Sequence, residues 1–444
     1  MKRALALLAF LLGWLVLGAT PASAHVEVLS STPGDGARLS AAPSLVSVTL
    51  SENIGIQPGS IKVVDLEGHQ VDSGPVFQPG DVAEQVGVRL KPGLPDGSYL
   101  VEYAFVSADS HPVRGTFAFV VGTGPLVTSA GAVSAATGTD AAVDAVSTAV
   151  RWLAYVGVVL LGGLAFLVLC RPAGRTDRRA RRLLRWGAGL VAATTVATFV
   201  LQGPYAAGRN LEAVFDTGLL ADTLRVAYGK LLLLRLAAVA AFALLLPRLL
   251  RRDLPDRLRS RYENLAMVTG FLVLLTFSAT GHPVTDPIMF VSVTADLVHF
   301  GAIAVWTGGL AQLALCLHRP ADGEDLPAVA TRFSRLAAGC VTAIALSGAV
   351  LALRIMPSLE TLWTTKFGPL VLLKIAGLAV LLAVASRSRR AVRRGLAGSS
   401  SASGDTAVVT ADVRKLRLAV GAEVLLSAVV LALAALLTVT PPGG

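Results

Sequence analysis

The distribution of apolar residues divides the 444-residue chain into three parts. In the first part, Lys2 and Arg3 precede the apolar run ALALLAFLLGWLVLG, and Ala22-Ser23-Ala24 follows it. A charged start, a short apolar stretch and a small-residue cleavage motif are typical of a secretory signal peptide, which we predict over residues 1–24. An uncleaved anchor helix is the alternative. Cleavage after Ala24 would make His25 the first residue of the mature protein.

The second part, residues 25–122, alternates between short apolar runs and turns. The runs LVSVTLSE, SIKVVDLEG, VGVRL, YLVEYAFVS and TFAFVVG have the two-residue period of half-buried strands. PGDG, QPG, KPG and PDG separate them as turns. We therefore expect an exported all-β domain of about seven strands, folded as an antiparallel sandwich or Greek-key barrel. Residues 123–146 are small and weakly polar, which predicts a flexible linker.

The third part, residues 147–440, has the apolar runs of an all-α transmembrane bundle. Eight runs are long enough to cross a bilayer. They lie near 147–170, 183–203, 227–247, 263–281, 289–317, 333–355, 367–386 and 416–439. The composition agrees, since 54% of all residues are hydrophobic, only 15% are charged and the mean hydropathy is +0.66. We therefore expect a multi-pass protein of the plasma membrane, with eight transmembrane helices after the β domain.

Charged residues in the loops predict the orientation. Loops 171–182, 248–261, 318–332 and 387–417 carry 22 Lys and Arg residues, whereas loops 204–225, 282–288 and 356–366 carry three. By the positive-inside rule the first set is cytoplasmic, which places the β domain and the C-terminus outside. The formal net charge of +10 arises beside the spans, because residues 25–125 hold 5 basic and 11 acidic side chains. This basic surplus does not indicate a nucleic-acid partner.

Histidine and aspartate residues indicate a metal site in the β domain. Asp109 and His111 stand two apart, so that on a strand both side chains lie on the same face. After cleavage, His25 would add an imidazole and an α-amine whose pKa is about 8. One amine, two imidazoles and one carboxylate form the nitrogen–oxygen set that suits Cu(II). An ordinary surface pair is the alternative for Asp109 and His111, and His69, in the turn LEGHQ, is predicted to be a solvated surface residue.

Ionisable residues in the apolar runs indicate a second site, because charges inside a membrane are costly. Asp296 and His299 are three apart in the fifth span and share a helix face. His282, at the outer end of the fourth span, precedes them, and together they form a candidate path for a metal ion or a proton. The alternative is that His299 only joins helices through a hydrogen bond. Other charges in the spans must either pair or reach a membrane boundary, and the sequence does not show which pairs form. They are Lys230, Arg235, Arg354, Lys374 and Glu423.

Two residue groups in the spans have ordinary structural explanations. Trp306 and Gly308-Gly309 are expected to serve close helix packing. Cys316, His318 and Cys340 fall near the cytoplasmic side, where they could receive Cu(I), although buried structural cysteines are the simpler interpretation.

The motifs resemble a known family of copper proteins. The stretches HVEVLSSTPGDGARLSAAPSLVSVTLSE and SADSHPVRGTFAFVV resemble CopC, a family of exported copper-binding β-barrels. Stretches such as SATGHP, DLVHFGAIAVWTGGL and TTKFGPLVLLKIAGLAV resemble CopD, the multispan partner of CopC. The chain thus resembles a natural CopC–CopD fusion. The resemblance implies that His25, Asp109 and His111 are Cu(II) ligands, although His25-Val26 replaces the usual His-Ala and Asp109-Ser110-His111 the usual Asp-Gly-His.

The resemblance implies copper binding and copper transport across the plasma membrane, in the inward direction, in copper homeostasis and resistance. The expected partners are copper ions, the lipid bilayer and periplasmic or cytoplasmic copper chaperones. The four methionines are Met1, Met267, Met289 and Met356, so the mature β domain has no thioether ligand for Cu(I).

Other functions remain open from the sequence. They are a copper-dependent membrane oxidoreductase or metalloreductase, and a copper buffer or sensor that does not transport. We expect a protein that is not an enzyme. The chain contains neither a Walker motif nor a phosphorylatable aspartate motif, so we expect no direct use of ATP.

Overall fold

The computed structural model describes most of the mature chain. The described residues are 28–50, 60–82, 84–106, 112–126, 141–251, 253–280, 288–318, 325–355, 363, 367–398 and 406–437. The predicted signal peptide and most of the predicted linker lie outside them, as do four of the predicted site residues: His25, Asp109, His111 and His282.

The β domain is a sandwich of two four-stranded sheets. Its strands are β1 (Val28–Thr32), β2 (Ala37–Leu39), β3 (Leu45–Leu50), β4 (Ile61–Asp65), β5 (Asp72–Phe77), β6 (Gln85–Leu90), β7 (Gly97–Val106) and β8 (Pro112–Val121). One sheet has the order β1-β3-β6-β5 and the other the order β2-β8-β7-β4. All pairings are antiparallel except β2 with β8. The predicted sandwich is confirmed, with eight strands against the expected seven or so. The five runs named from the sequence are β3, β4, β6, β7 and β8, whereas β1, β2 and β5 were not among them.

Strand alternation produces the core of the sandwich. Val46 and Val48 of β3, Val63 of β4, Val86 of β6 and Val101 of β7 are fully or almost fully buried between the sheets. The long β7–β8 hairpin pairs Gly97 with Val121 at one end and Val106 with Pro112 at the other. Residues 107–111, which carry the predicted Cu(II) ligands Asp109 and His111, therefore connect two strands of the second sheet.

Nine α-helices follow within the described residues. They are α1 (Ala141–Leu169), α2 (Arg178–Ala207), α3 (Thr217–Arg225), α4 (Ala227–Leu249), α5 (Asp256–Ser278), α6 (Met289–His318), α7 (Leu326–Ile355), α8 (Phe367–Gly398) and α9 (Thr406–Leu437). Among these, seven are long and apolar enough to cross a membrane: α1, α2, α4, α6, α7, α8 and α9. The protein is therefore a multi-pass membrane protein, and α3 is a short helix between two spans.

The predicted count of eight spans is one more than the seven that length and composition support in the described residues. The difference is α5, which corresponds to the predicted span 263–281. Its first two turns carry five charged residues, namely Asp256, Arg257, Arg259, Arg261 and Glu263. The apolar remainder, Asn264 to Ser278, rises only about 22 Å at 1.5 Å per residue, against a hydrocarbon core of about 30 Å.

Close packing of α1 against α6 occupies one half of the bundle. A Cβ atom on Gly308 would lie 2.0 Å from the Val159 carbonyl oxygen, and one on Gly162 would lie 2.2 Å from the Ala304 carbonyl oxygen. Only glycine permits such an approach of two helix backbones. Gly309 abuts the ring of Phe333, so the predicted packing role of Gly308-Gly309 is confirmed. Trp306 is 3% exposed and also lines a cavity in the bundle.

Candidate functional site in the membrane domain

A cavity of about 580 Å³ lies in the other half of the bundle. All eight long helices line it. The lining residues lie near the starts of α1, α4, α6 and α8 and near the ends of α2, α5, α7 and α9. The end of α5 therefore lies beside the cavity like those of its neighbours, although its composition alone does not identify it as a span. The cavity thus lies toward the helix ends that the sequence joins through the loops with few basic residues, which by the charge prediction is the outer side.

Asp296 and His299 of α6 both line this cavity. The structure thus brings together two of the three residues of the predicted path, while His282 lies outside the described residues.

The imidazole of His299 is oriented by α7. Its Nδ1 atom lies 3.1 Å from the carbonyl oxygen of Ile344 and 3.1 Å from Oγ of Ser347. A carbonyl oxygen only accepts hydrogen bonds, so Nδ1 carries the proton of the neutral ring and donates it. The Nε2 atom then keeps its lone pair, which makes it the nitrogen that can bind a metal. His299 therefore joins two helices, as one interpretation predicted, and keeps a ligand atom for the cavity.

The Asp296 carboxylate interacts electrostatically with Lys374 of α8, whose ammonium also acts on His299. Lys374 lines the cavity as well. Three helices thus contribute to one polar cluster: α6, α7 and α8.

Arg235 of α4 has the partners that a buried charge requires. It is 4% exposed, and it donates from Nε to Thr276 Oγ1 at 3.1 Å and from Nη2 to the Thr276 carbonyl oxygen at 2.7 Å. Its guanidinium carbon lies 3.6 Å from the centre of the Phe277 ring, a cation–π contact. Phe277, Tyr155 and Phe300 pack together with ring centres 5.2 to 6.1 Å apart and form an aromatic wall of the cavity.

The remaining charged residues in the helices lie in different surroundings. Lys230 and Arg354 are exposed, whereas Glu423 of α9 is 3% exposed. The three cysteines, Cys170, Cys316 and Cys340, are buried, in agreement with a structural role. The sequence identified Lys374 as an intramembrane charge but gave no sign of its partner, and it did not identify Ser347 at all.

A second group of metal-binding side chains lies in the β domain. The ligand atoms of Asp65, Glu67 and His69 lie within 4.8 Å of one another. Asp65 Oδ1 accepts hydrogen bonds from the backbone amides of Glu67 and His69, and Oδ2 lies 3.2 Å from His69 Nδ1. Burial acts to raise the pKa of the Asp65 carboxyl, but the hydrogen bonds from His69 and Glu67 hold it below its ordinary value. The carboxylate thus holds the turn, and His69 is exposed as predicted.

Three families match successive regions of the chain. Residues 28–122 match the CopC domain, residues 142–287 match the Copper resistance protein D-like N-terminal domain, and residues 327–437 match Copper resistance protein D.

Individual proteins show the same relationships. The chain is 28% identical to Copper transport protein CutJ of Bacillus subtilis (strain 168) over 369 residues, which are 81% of this chain and 66% of CutJ. The chain thus spans slightly less than two thirds of the length of CutJ. Copper resistance protein C of Escherichia coli is 33% identical over 120 residues, 26% of this chain and 94% of that protein. The crystal structure of CopC from Methylosinus trichosporium OB3b covers 22% of this chain and 93% of its own, with 26% identity and a TM-score of 0.20.

The sandwich at residues 28–122 and the helices from residue 141 onward coincide with the CopC and CopD matches, in that order. The chain therefore belongs to the CopC/CopD copper-resistance family, in which it joins a CopC domain and a CopD-type membrane domain in one polypeptide.

Proposed function

We propose that the protein captures copper outside the cell and carries it inward across the plasma membrane. The β domain binds Cu(II) through His25, Asp109 and His111 and passes copper to the membrane domain. Asp296 and His299 receive it in the cavity, with His282 at the outer mouth. The family supports copper as the cargo, since one relative is named a copper transport protein and another a copper resistance protein.

The orientation of His299 carries this proposal. Because Nδ1 donates to the Ile344 carbonyl, Nε2 keeps its lone pair, and His299 lines the cavity on the helix that also presents Asp296. Imidazole and carboxylate are ligands that copper accepts. A hydrogen bond from the other ring nitrogen is the usual support of a metal-binding histidine.

The position of the cavity suits the capture of cargo from the outer side. It lies in the half of the bundle that we assign to the outside, whereas α1 and α6 pack closely at Gly162 and Gly308 in the other half. In this arrangement the site exchanges cargo with the outer side, where the β domain and the C-terminus are placed. Copper enters and leaves as cargo, with copper chaperones as its donors or acceptors, and we propose no catalytic step.

Copper uptake by proteoliposomes tests the function. The full mature chain is reconstituted with the β domain outside, and radioactive copper is supplied in a buffered form, with and without ascorbate to set the oxidation state. We expect accumulation above that of protein-free liposomes, and the ascorbate comparison identifies the form that crosses. Copper that binds to the protein but never enters the lumen would contradict transport and favour a copper buffer.

A further inference from the structure

We propose that Lys374 is the internal counter-ion of the copper site: its ammonium neutralises Asp296 before cargo binds, withdraws when copper arrives, and returns to expel the copper. This inference rests on the proposed function of the cavity. It assigns to Lys374 the role of a residue that limits both the filling and the emptying of the site.

The first observation is the position of Lys374. It reaches the cavity from α8, while Asp296 and His299 reach it from α6. Its ammonium attracts the Asp296 carboxylate and interacts unfavourably with any positive charge at His299. A copper ion held by Asp296 and His299 would therefore lie next to a positive side chain.

The second observation is that no close ion pair in the described part of the chain holds Lys374. Among the described residues, no ion pair of 4.0 Å or less joins Lys374 to Asp296, so the two charges interact across a gap. Arg235, another basic residue of the cavity, is held by Thr276 and by the Phe277 ring. Arg151 also lines the cavity and makes contacts of its own. Lysine carries its charge on a flexible four-carbon stem, which permits a large movement of the ammonium.

The third observation concerns the helix that carries Lys374. Only 11% of the residues in the apolar window of α8 are buried within the protein, against 28 to 56% in the other six candidate spans. Leu372, Leu373 and Ile375, the neighbours of Lys374, are 43 to 57% exposed. Most of the α8 surface is therefore not packed against other described helices, and its main neighbour is α9.

The electrostatic effect is large enough to control binding. Two unit positive charges about 6 Å apart, at an effective dielectric constant of about 20, repel each other enough to weaken binding roughly 100-fold. Copper can therefore occupy the site firmly only when the ammonium moves away. The same repulsion assists release when the ammonium returns.

Removal of the charge separates this role from a structural one. Without the ammonium, copper should bind more tightly but leave more slowly, so that affinity rises while uptake falls. A side chain needed only for packing would lower both when it is replaced. We therefore expect Lys374→Met to increase copper affinity of the membrane domain at least 10-fold and to slow uptake, whereas Lys374→Arg, which keeps the charge, should stay close to the unsubstituted protein.

The experiment uses the full chain with Asp109→Ala and His111→Ala as background, so that the β domain contributes little copper binding. Copper bound per chain is measured by equilibrium dialysis against buffered copper, and uptake is measured in proteoliposomes with the unsubstituted β domain. Lys230→Met is the matched control, because Lys230 is an exposed lysine of α4 that does not line the cavity. Lys374→Gln provides the same loss of charge if Lys374→Met does not accumulate.

The role of Lys374 would be overturned if Lys374→Met and Lys374→Gln bound copper no more tightly than the unsubstituted protein while the unsubstituted protein still took up copper. The proposed transport would be unaffected by that result. Absence of uptake in the unsubstituted protein would instead contradict the proposed transport. The two failures are therefore distinguishable.

Discussion

Gly348 of α7 leaves the space that the His299 ring occupies. A Cβ atom at position 348 would lie 3.1 Å from Cε1 and 3.4 Å from Nδ1 of His299, closer than ordinary van der Waals contact. Gly348→Ala should therefore push the imidazole away from α7 by a few tenths of an ångström. The Nδ1 distance to the Ile344 carbonyl oxygen, now 3.1 Å, would approach the limit of a useful hydrogen bond.

The expected cost follows from this displacement. An interhelical hydrogen bond in a membrane contributes about 0.6 kcal/mol on average and about 1.7 kcal/mol at most. If the bond that orients His299 is lost, the population of the binding-competent ring falls by the corresponding factor, roughly 3- to 18-fold. We expect copper uptake to fall by the same range. Helix propensity acts in the opposite direction, because replacing glycine by alanine stabilises a helix by about 1 kcal/mol.

Gly339→Ala separates the two effects. Gly339 lies on the same helix, and a Cβ atom there would meet nothing within 4 Å. Initial rates of copper uptake and thermal stability are measured for both variants in the same liposomes. Gly339→Ala should transport normally, whereas Gly348→Ala should transport more slowly without loss of protein. Equal uptake rates in the two variants would refute the idea that the orientation of His299 limits transport.

Three further predictions follow from the sites. Thr276→Val should lower the melting temperature more than Arg235→Met does. The valine leaves the buried Nε atom of Arg235 without an acceptor, at a cost of about 1–3 kcal/mol, and equal melting temperatures of the two variants would contradict this reasoning. Asp296→Asn should reduce uptake as strongly as removal of the imidazole if the carboxylate neutralises the ion, and a mild effect in uptake assays would limit Asp296 to a positioning role. One residue added before His25 should weaken Cu(II) binding to the β domain, because an amide replaces the α-amine, and an unchanged affinity in a competition titration would exclude the N-terminus as a ligand.

Local patterns predicted the parts of the fold that depend on local spacing. The two-residue alternation in LVSVTLSE corresponds to β3, with Val46 and Val48 in the core. The three-residue spacing of Asp296 and His299 correctly placed both side chains at one cavity. In each case neighbours in sequence share a face because helix and strand periods fix their direction.

Contacts between distant segments could not be predicted in the same way. Lys374 lies on a different helix from Asp296, and only the packing of the helices brings their charges together. The parallel strand β2 pairs with β8, some 80 residues later, and has no periodic signal of its own. The span count differed for a related reason: α5 takes its place in the bundle through its neighbours, while its charged first turns shorten its apolar part.

Copper uptake by a His299→Ala variant tests the central claim most directly. His318→Ala is the matched control, since it removes a histidine from the same helix, and His318 does not line the cavity. Both proteins are reconstituted at equal amounts, and Cu(II) binding to the β domain is measured alongside uptake. We expect His299→Ala to abolish uptake, His318→Ala to transport normally, and both to bind Cu(II) as the unsubstituted chain does. Normal uptake by a well-folded His299→Ala protein would contradict the cavity as the copper path and leave His299 as a residue that only joins α6 to α7.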